Sequence, residues 1–533
     1  MLERRLGWME NGTDKLVRGA LLLTIAGLVS KILSAGYRIP LQNLTGDLGF
    51  YIYQQVYPLL GIATVLALYG FPSAISKLTA DMQMEGRQVC FKSFYGPLGL
   101  ILFGINGVIF LFLKMNAKSI AVWVGDENLA FAYELAAFIF LLIPFTSLLR
   151  GVFQGVQQMK PTAYSQIGEQ LVRVSVIIIA AYIIVTNGDS FYKVGQAAGV
   201  AAIGGALAAL LILSVFFLKN PPKLAGEKVI SWRYYIRTIL LFGLVASLNH
   251  MVLLIIQFAD TFTLVPSLRD YGLEKIEAMA MKGVFDRGQP LIQVGTVVGS
   301  SFALALIPNL TREKSKSLSN ARYESVQSAL NFSFYLSFGA MLGLVLIFPE
   351  TNVLLFQNDE GTSSLRILAL SILLSSLAIT GTTILQGLGY FKRTAGFILF
   401  AFFVKWIGNQ MLVPFLGIIG SASATVLSLF TLCAIVLFEL KRKVPGFSFL
   451  KGIRLKAFIK ASLIMIVYIV GLKVIIPDIS ILSRFTLLLW VVFIAISGAL
   501  LYLIMLVRNQ AFTKQELSVM PFSNLFIRLS KEE

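Results

Sequence analysis

Cysteine and histidine are almost missing from this chain, with two Cys and one His among 533 residues. Cys90 and Cys433 lie far apart with no CxxC spacing, and His250 alone cannot complete a metal site with them. No disulfide framework, metal centre, cofactor or redox chemistry is therefore expected. His250 sits in an apolar stretch, where a satisfied core histidine and a proton relay both stand open. Charge is scarce too: 14% of residues are charged against 57% hydrophobic, a balance that excludes an ordinary soluble domain of this length. Large polar segments are also lacking, which counts against a membrane glycosyltransferase or polymerase, since such an enzyme needs an acidic catalytic residue in a sizeable loop. No catalytic residues are expected. Carboxylates are rare inside the apolar runs apart from Glu169, and this counts against an exporter of cationic drugs.

What the chain does contain is apolar runs of about twenty residues, each long enough to cross roughly 30 Å of hydrocarbon as a helix. Their expected spans are 17–37, 52–76, 94–113, 128–149, 163–185, 195–218, 236–259, 284–307, 328–348, 363–388, 394–414, 417–439, 458–477 and 481–507. The fold class expected is an all-α polytopic membrane protein of about fourteen transmembrane helices. Met1 to Lys15 is polar and no small-residue cleavage pattern follows, so the first helix is expected to remain in the mature protein. The net charge of +18 invites a nucleic-acid reading, but the placement of the cations argues otherwise. Loops on the side of the N-terminus hold about three times as many Lys and Arg as the opposite loops, the asymmetry of the positive-inside rule. Both termini are expected in the cytoplasm, with no nucleic-acid partner.

The chain also repeats itself. Gln154-Gly155, Lys160 and Thr162-Ala163 reappear as Gln386-Gly387, Lys392 and Thr394-Ala395, each displaced by 232 positions, as are Leu78-Thr79 onto Leu310-Thr311 and Arg173 onto Lys405. The expected organisation is a six-helix lobe over 1–220, a second over 221–440, and two extra helices with a tail over 441–533. An even number of spans per lobe makes this a parallel repeat, with a cavity expected between the lobes near mid-bilayer. The stretch from Asp260 to Lys282 is read as an extracytoplasmic loop with room for a short amphipathic helix.

Ionisable side chains inside the spans cost several kcal/mol and each asks for a reason. Lys31 and Arg38, seven residues apart, share one helix face. Asp286 and Arg287 open the eighth span; Arg173 and Lys405 occupy equivalent places in the fifth and eleventh. Some have a plain structural explanation: Arg38 at a helix end can snorkel to the interface, Arg173 can pair with Glu169 four residues earlier, and Asp286 can pair with Arg287. Together they point to a cavity lined by cations, whose planar and point charges suit the oxygens of a pyrophosphate. Gln289, Gln293, Asn409 and Gln410 are open to two readings, hydrogen bonds to sugar or glue between helices.

The run from Arg18 through Lys31 and Arg38 to Pro40 resembles the start of the polysaccharide-biosynthesis and stage V sporulation protein B-like group of the MOP flippase superfamily. So do Tyr53-Gln-Gln-Val-Tyr-Pro58, Gly70-Phe-Pro-Ser-Ala-Ile-Ser-Lys77, Glu169-Gln-Leu-Val-Arg173 and Gly288-Gln-Pro-Leu-Ile-Gln-Val-Gly-Thr296, so that the likeness covers nearly the whole chain. The group is similar to the MurJ-type lipid II flippases. The resemblance implies a cationic cavity for a lipid-linked pyrophosphate, matched here by Lys31, Arg38 and Arg287, and a groove for the lipid tail along the last two helices. It implies a bacterial plasma-membrane location, membrane lipids and a lipid-linked oligosaccharide as partners, and a link to the cell-wall synthesis machinery. The chain departs from the MurJ-type pattern around Pro58, where those flippases carry a further arginine and this chain reads Leu59-Leu-Gly-Ile62.

Overall fold

The computed structural model describes residues 19, 22–84, 94–221, 231–305, 319–475, 482–513 and 516–517. Among them every regular element is helical, as hydrocarbon demands, because only a helix or a closed barrel satisfies its own backbone there. Twelve helices are long and apolar enough to cross a membrane. The first of these, Leu22–Met82, is 61 residues long and divides at Gly46, whose φ of 65° and ψ of −174° lie in a region essentially reserved for glycine. With that division, and with the 18-residue helix Gly288–Ala305 at the expected eighth span, each of the fourteen expected spans falls on helix over its described residues.

The elements in chain order are α1 (22–36), α2 (Arg38–Val65), α3 (Phe71–Met84), α4 (Gly96–Val124), α5 (Ala130–Ala137), α6 (Ile139–Gly155), α7 (Met159–Thr186) and α8 (Tyr192–Lys219). Then α9 (Trp232–Thr238), α10 (Val252–Asp270), α11 (Lys275–Asp286) and α12 (Gly288–Ala305) follow. The remainder is α13 (Ser319–Leu346), α14 (Phe348–Phe356), α15 (Thr362–Ala369), α16 (Ser371–Gly387), α17 (Phe391–Leu416), α18 (Ile418–Lys443), α19 (Leu455–Ile475) and α20 (Arg484–Arg508). The chain forms two compact units, Met1–Pro266 and Ser267–Glu533.

The displacement of 232 is structural as well as sequential. Helices α5 and α6 begin and end 232 positions before α15 and α16, and α7 begins 232 before α17. Left-handed residues repeat with the same spacing: Gly125 and Gln357 both follow a helix, as do Gln157 and Gly389. At the second pair the same two bonds close the helix end, Gln158 N to Phe153 O at 2.8 Å and Tyr390 N to Leu385 O at 2.9 Å, with Gln157 N to Gln154 O and Gly389 N to Gln386 O beside them. This is the doubly bonded helix end in which glycine is usual and glutamine tolerated. Pro58-Leu59 and Thr64 likewise correspond to Pro290-Leu291 and Thr296.

Two expectations change. The first helix does not end near 37: after a single turn residue at Tyr37 it continues to the break at Gly46, so Arg38 lies within the bundle instead of at an interface. The stretch from Asp260 to Lys282 is not a long loop, because α10 runs to Asp270 and α11 starts at Lys275. Arg269, Asp270, Glu274, Lys275 and Glu277 are exposed, whereas Asp260 and Lys282 at its two ends are buried. In the second unit the last two helices pack on α13 and α14: the Tyr502 hydroxyl donates to Tyr335 O of α13 at 3.1 Å, and Lys473 of α19 pairs with Glu350 of α14 at 2.6 Å.

Because a Cβ at Gly46 would meet nothing within 4 Å, only backbone strain opposes a side chain there. Gly46→Ala is expected to cost about 1–3 kcal/mol, read as a lower thermal midpoint in detergent. Gly99→Ala, at a helical glycine with equally open surroundings, is expected to be neutral or stabilising.

Candidate functional site

The first unit gathers its cations around two irregular helical stretches. Residues Leu66–Gly70 form a π-turn between α2 and α3, and Ile239–Val245 form another, followed by a 3-10 turn at Ala246–Met251. The two stretches touch where neither tolerates a side chain: a Cβ on Gly70 would stand 2.6 Å from the Gly243 carbonyl oxygen. Interrupted helices of this kind free backbone groups and commonly mark functional sites in membrane proteins. Across the contact, the rings of Tyr69 and His250 stack at 4.8 Å, and Gln166 Nε2 donates to the Tyr69 hydroxyl at 3.3 Å.

Lys31 of α1 lies within electrostatic reach of His250. Its side chain remains accessible although protein surrounds it. Arg38 is fully buried, so the snorkelling explanation fails; its guanidinium carbon lies 3.8 Å from the centre of the Tyr57 ring. Such a cation over an aromatic face, out of water, gains about 2 kcal/mol. Tyr53 and Tyr57 pack at 5.8 Å, and Tyr37 meets Tyr53 edge-on with their hydroxyls hydrogen-bonded. The result is a cationic face whose walls are tyrosines.

Glu169 of α7 is gripped by two arginines. Arg173 Nη2 bonds Oε1 at 2.6 Å, and Arg150 Nη2 bonds Oε2 at 2.8 Å. Arg173 also donates to Thr64 Oγ1 at 3.1 Å, and Arg150 to Ser165 Oγ at 3.0 Å and to Ala67 O at 3.3 Å. The pair Glu169–Arg173 is the one its i,i+4 spacing suggests. Arg150 was invisible in the sequence because α6 runs six residues beyond its expected end and because its partner lies 19 positions away. A water-sized cavity bordered by Thr64, Thr146 and Glu169 adjoins the cluster, which as a group keeps one net positive charge.

In the second unit Arg287 is fully buried, donates to Asn358 Oδ1 at 2.5 Å and lies 5.4 Å from the Phe356 ring centre. Asp286 holds Lys282, one turn earlier, at 2.7 Å with both side chains buried; Lys282 is a second cation that the sequence reading passed over as loop. Gln289 is buried on the next turn. Lys405 is sealed between α17 and α18, where its ammonium donates to Asn409, Ser421 and Thr425. Asn409 is thereby engaged in joining helices. Gln410 is exposed and Gln293 half-buried. Among the described residues no group of His, Cys, Asp and Glu is placed to hold a metal ion.

A family model described as polysaccharide biosynthesis protein matches residues 16–314, more than half of the chain. This chain belongs to the polysaccharide biosynthesis protein family. It is 41% identical over 431 residues, 80% of each chain, to the uncharacterized membrane protein YabM of Bacillus subtilis (strain 168). It is 24% identical over 479 residues to the lipid II flippase MurJ of the same organism, covering 85% of this chain and 86% of that one. A solved structure of the lipid II flippase MurJ in an inward closed conformation superposes with a TM-score of 0.65 at 13% identity, over 92% of this chain and 99% of the other. The fold is therefore the one seen in that MurJ structure, and the chain is a multi-pass membrane protein similar to MurJ.

Within this family member the two arginines on Glu169 are not equivalent. Arg150→Met is expected to cost about 3–5 kcal/mol, since it removes a wholly buried partner, and Arg173→Met about 1 kcal/mol, since its side chain is 13% exposed. Thermal unfolding in detergent checks the order; equal losses would contradict it.

Proposed function

We propose that the protein is a flippase that carries a lipid-linked polyprenyl-pyrophosphate precursor of the cell wall, such as lipid II, from the cytoplasmic to the outer leaflet by alternating access. The observation that carries this reading is the pairing of an accessible Lys31 with Arg38 one face-width along the same helical run, backed by tyrosines. A pyrophosphate entering hydrocarbon must exchange water for fixed donors, and Lys as a point charge with Arg as a fork supplies them. Tyrosine rings flanking the cations suit the apolar faces of sugar rings. In the second unit Arg287, with Gln289 beside it, offers a donor set of the same chemistry.

The proposed assignment gives the head group to Lys31, Arg38 and Arg287. Arg173 with Glu169 acts as an adjacent, partly accessible cation, and Asp286 keeps Lys282 in place. The polyprenyl tail stays in lipid along α19 and α20. No bond is made or broken, so the reading requires transport and no catalysis. It also places the protein in the plasma membrane with both termini in the cytoplasm, where the basic loops meet an anionic leaflet.

The family description favours a second cargo, the lipid-linked precursor of another polysaccharide, which uses the same pyrophosphate handle with a different sugar. The test is outward translocation of lipid II in proteoliposomes, comparing the natural protein with Lys31→Ala, Arg38→Ala and Arg287→Ala at matched amounts. Flipping by the natural protein with at least a tenfold loss in each variant is expected. No flipping of lipid II, with flipping of another polyprenyl-pyrophosphate sugar, supports the second cargo; undiminished flipping by all three variants contradicts the cationic site.

A further inference from the structure

Lys405 is the one intramembrane cation of the candidate set whose surroundings are built as a cage. Its Nζ donates to four oxygens at nearly equal distance: Asn409 Oδ1, Ser421 O and Ser421 Oγ at 2.9 Å and Thr425 Oγ1 at 2.8 Å. An ammonium has three protons, so four acceptors at 2.8–2.9 Å share them as they would share a spherical charge. All four are neutral oxygens of side-chain amide, hydroxyl and main chain, the donor types that hard cations take from proteins. The Thr425 hydroxyl gives its proton to Ser421 O at 2.9 Å, which turns its lone pairs toward the ammonium.

The cage is also closed and stiff. Lys405, Asn409 and Ser421 are fully inaccessible and Thr425 nearly so, and the Phe285 ring lies 5.5 Å from Nζ. Helices α17 and α18 meet through small residues, with Gly408 against Ala424 and Ser428 Oγ donating to Ala401 O at 2.6 Å. The internal repeat gives a contrast. Lys405 corresponds to Arg173, but Ala401 stands where Glu169 would be, so the first unit holds its cation by a carboxylate and leaves it partly accessible.

We infer that the space between α17 and α18 is a monovalent-cation site in which the cation is the protein's own Lys405 ammonium, with Asn409, Ser421 and Thr425 as its oxygen ligands. A tethered charge neither enters nor leaves, so the second unit keeps this positive charge permanently, and no sodium or potassium ion exchanges at this place during a transport cycle. Removing the lysine leaves the ligands in position for an alkali ion. The inference concerns ion binding and holds whichever cargo the protein carries.

The test is thermal unfolding of the purified full chain in detergent, in sodium, potassium and choline chloride at equal ionic strength. Lys405→Ala and Lys405→Ser, which shorten the side chain and keep the ligands, are compared with the natural protein. The natural protein is expected to unfold at the same temperature in all three salts. The two variants are expected to unfold earlier in choline and to regain several degrees, saturably, with sodium or potassium, as ligand binding to the folded state requires. Adding Thr425→Val to Lys405→Ala is expected to abolish that gain. Variants whose midpoints are the same in every salt, a natural protein that responds to alkali ions as strongly as they do, or variants that do not accumulate even in alkali salts would each overturn the inference.

Discussion

The constraint on which this molecule depends is the cost of holding a positive charge in hydrocarbon. Insertion of Lys or Arg at mid-membrane costs roughly 2.5–3.5 kcal/mol on translocon scales, and the described residues answer that cost in three ways. A carboxylate offsets it at Glu169, shared between Arg150 and Arg173, and at Asp286 beside Lys282. An aromatic face does so for Arg38 over Tyr57, and neutral oxygens do so for Lys405. The helices are arranged so that each solution is available where a cation falls.

These solutions differ in what they leave for a ligand. Lys405 is saturated by oxygens and closed to the outside. Lys31 is accessible, and Arg38 is buried with its guanidinium against the Tyr57 ring. Lys405 is sealed where it joins α17 to α18, while the accessible Lys31 lies within electrostatic reach of His250 in the irregular turn Ala246–Met251.

Much of the fold was legible because lipid simplifies the code. A run of about twenty apolar residues has one available structure, and the displacement of 232 seen in a handful of identities reappears in the ends of α5, α6, α15 and α16. The break at Gly46 was not legible as a break within a helix, since the polar run Asn43-Leu-Thr-Gly-Asp47 around it reads as part of a loop between the first two spans. Because that break lies beyond the expected helix end, Arg38 read as interfacial when it is interior. The site was legible only where partners are one turn apart, as for Glu169 and Arg173. Arg150 and most of the Lys405 cage escaped because Glu169, and Ser421 with Thr425, come from the following helix, and spacing along one helix carries no information about which residue a neighbouring helix presents.

The central claim is that the accessible cationic face of the first unit recognises a diphosphate. The most direct measurement is binding of a polyprenyl diphosphate to the purified protein, against the corresponding monophosphate, for the natural chain and for Lys31→Gln. The account predicts tighter binding of the diphosphate, weakened about tenfold or more by the substitution and by added salt. Equal binding of the two lipids, unaffected by Lys31→Gln, would contradict it.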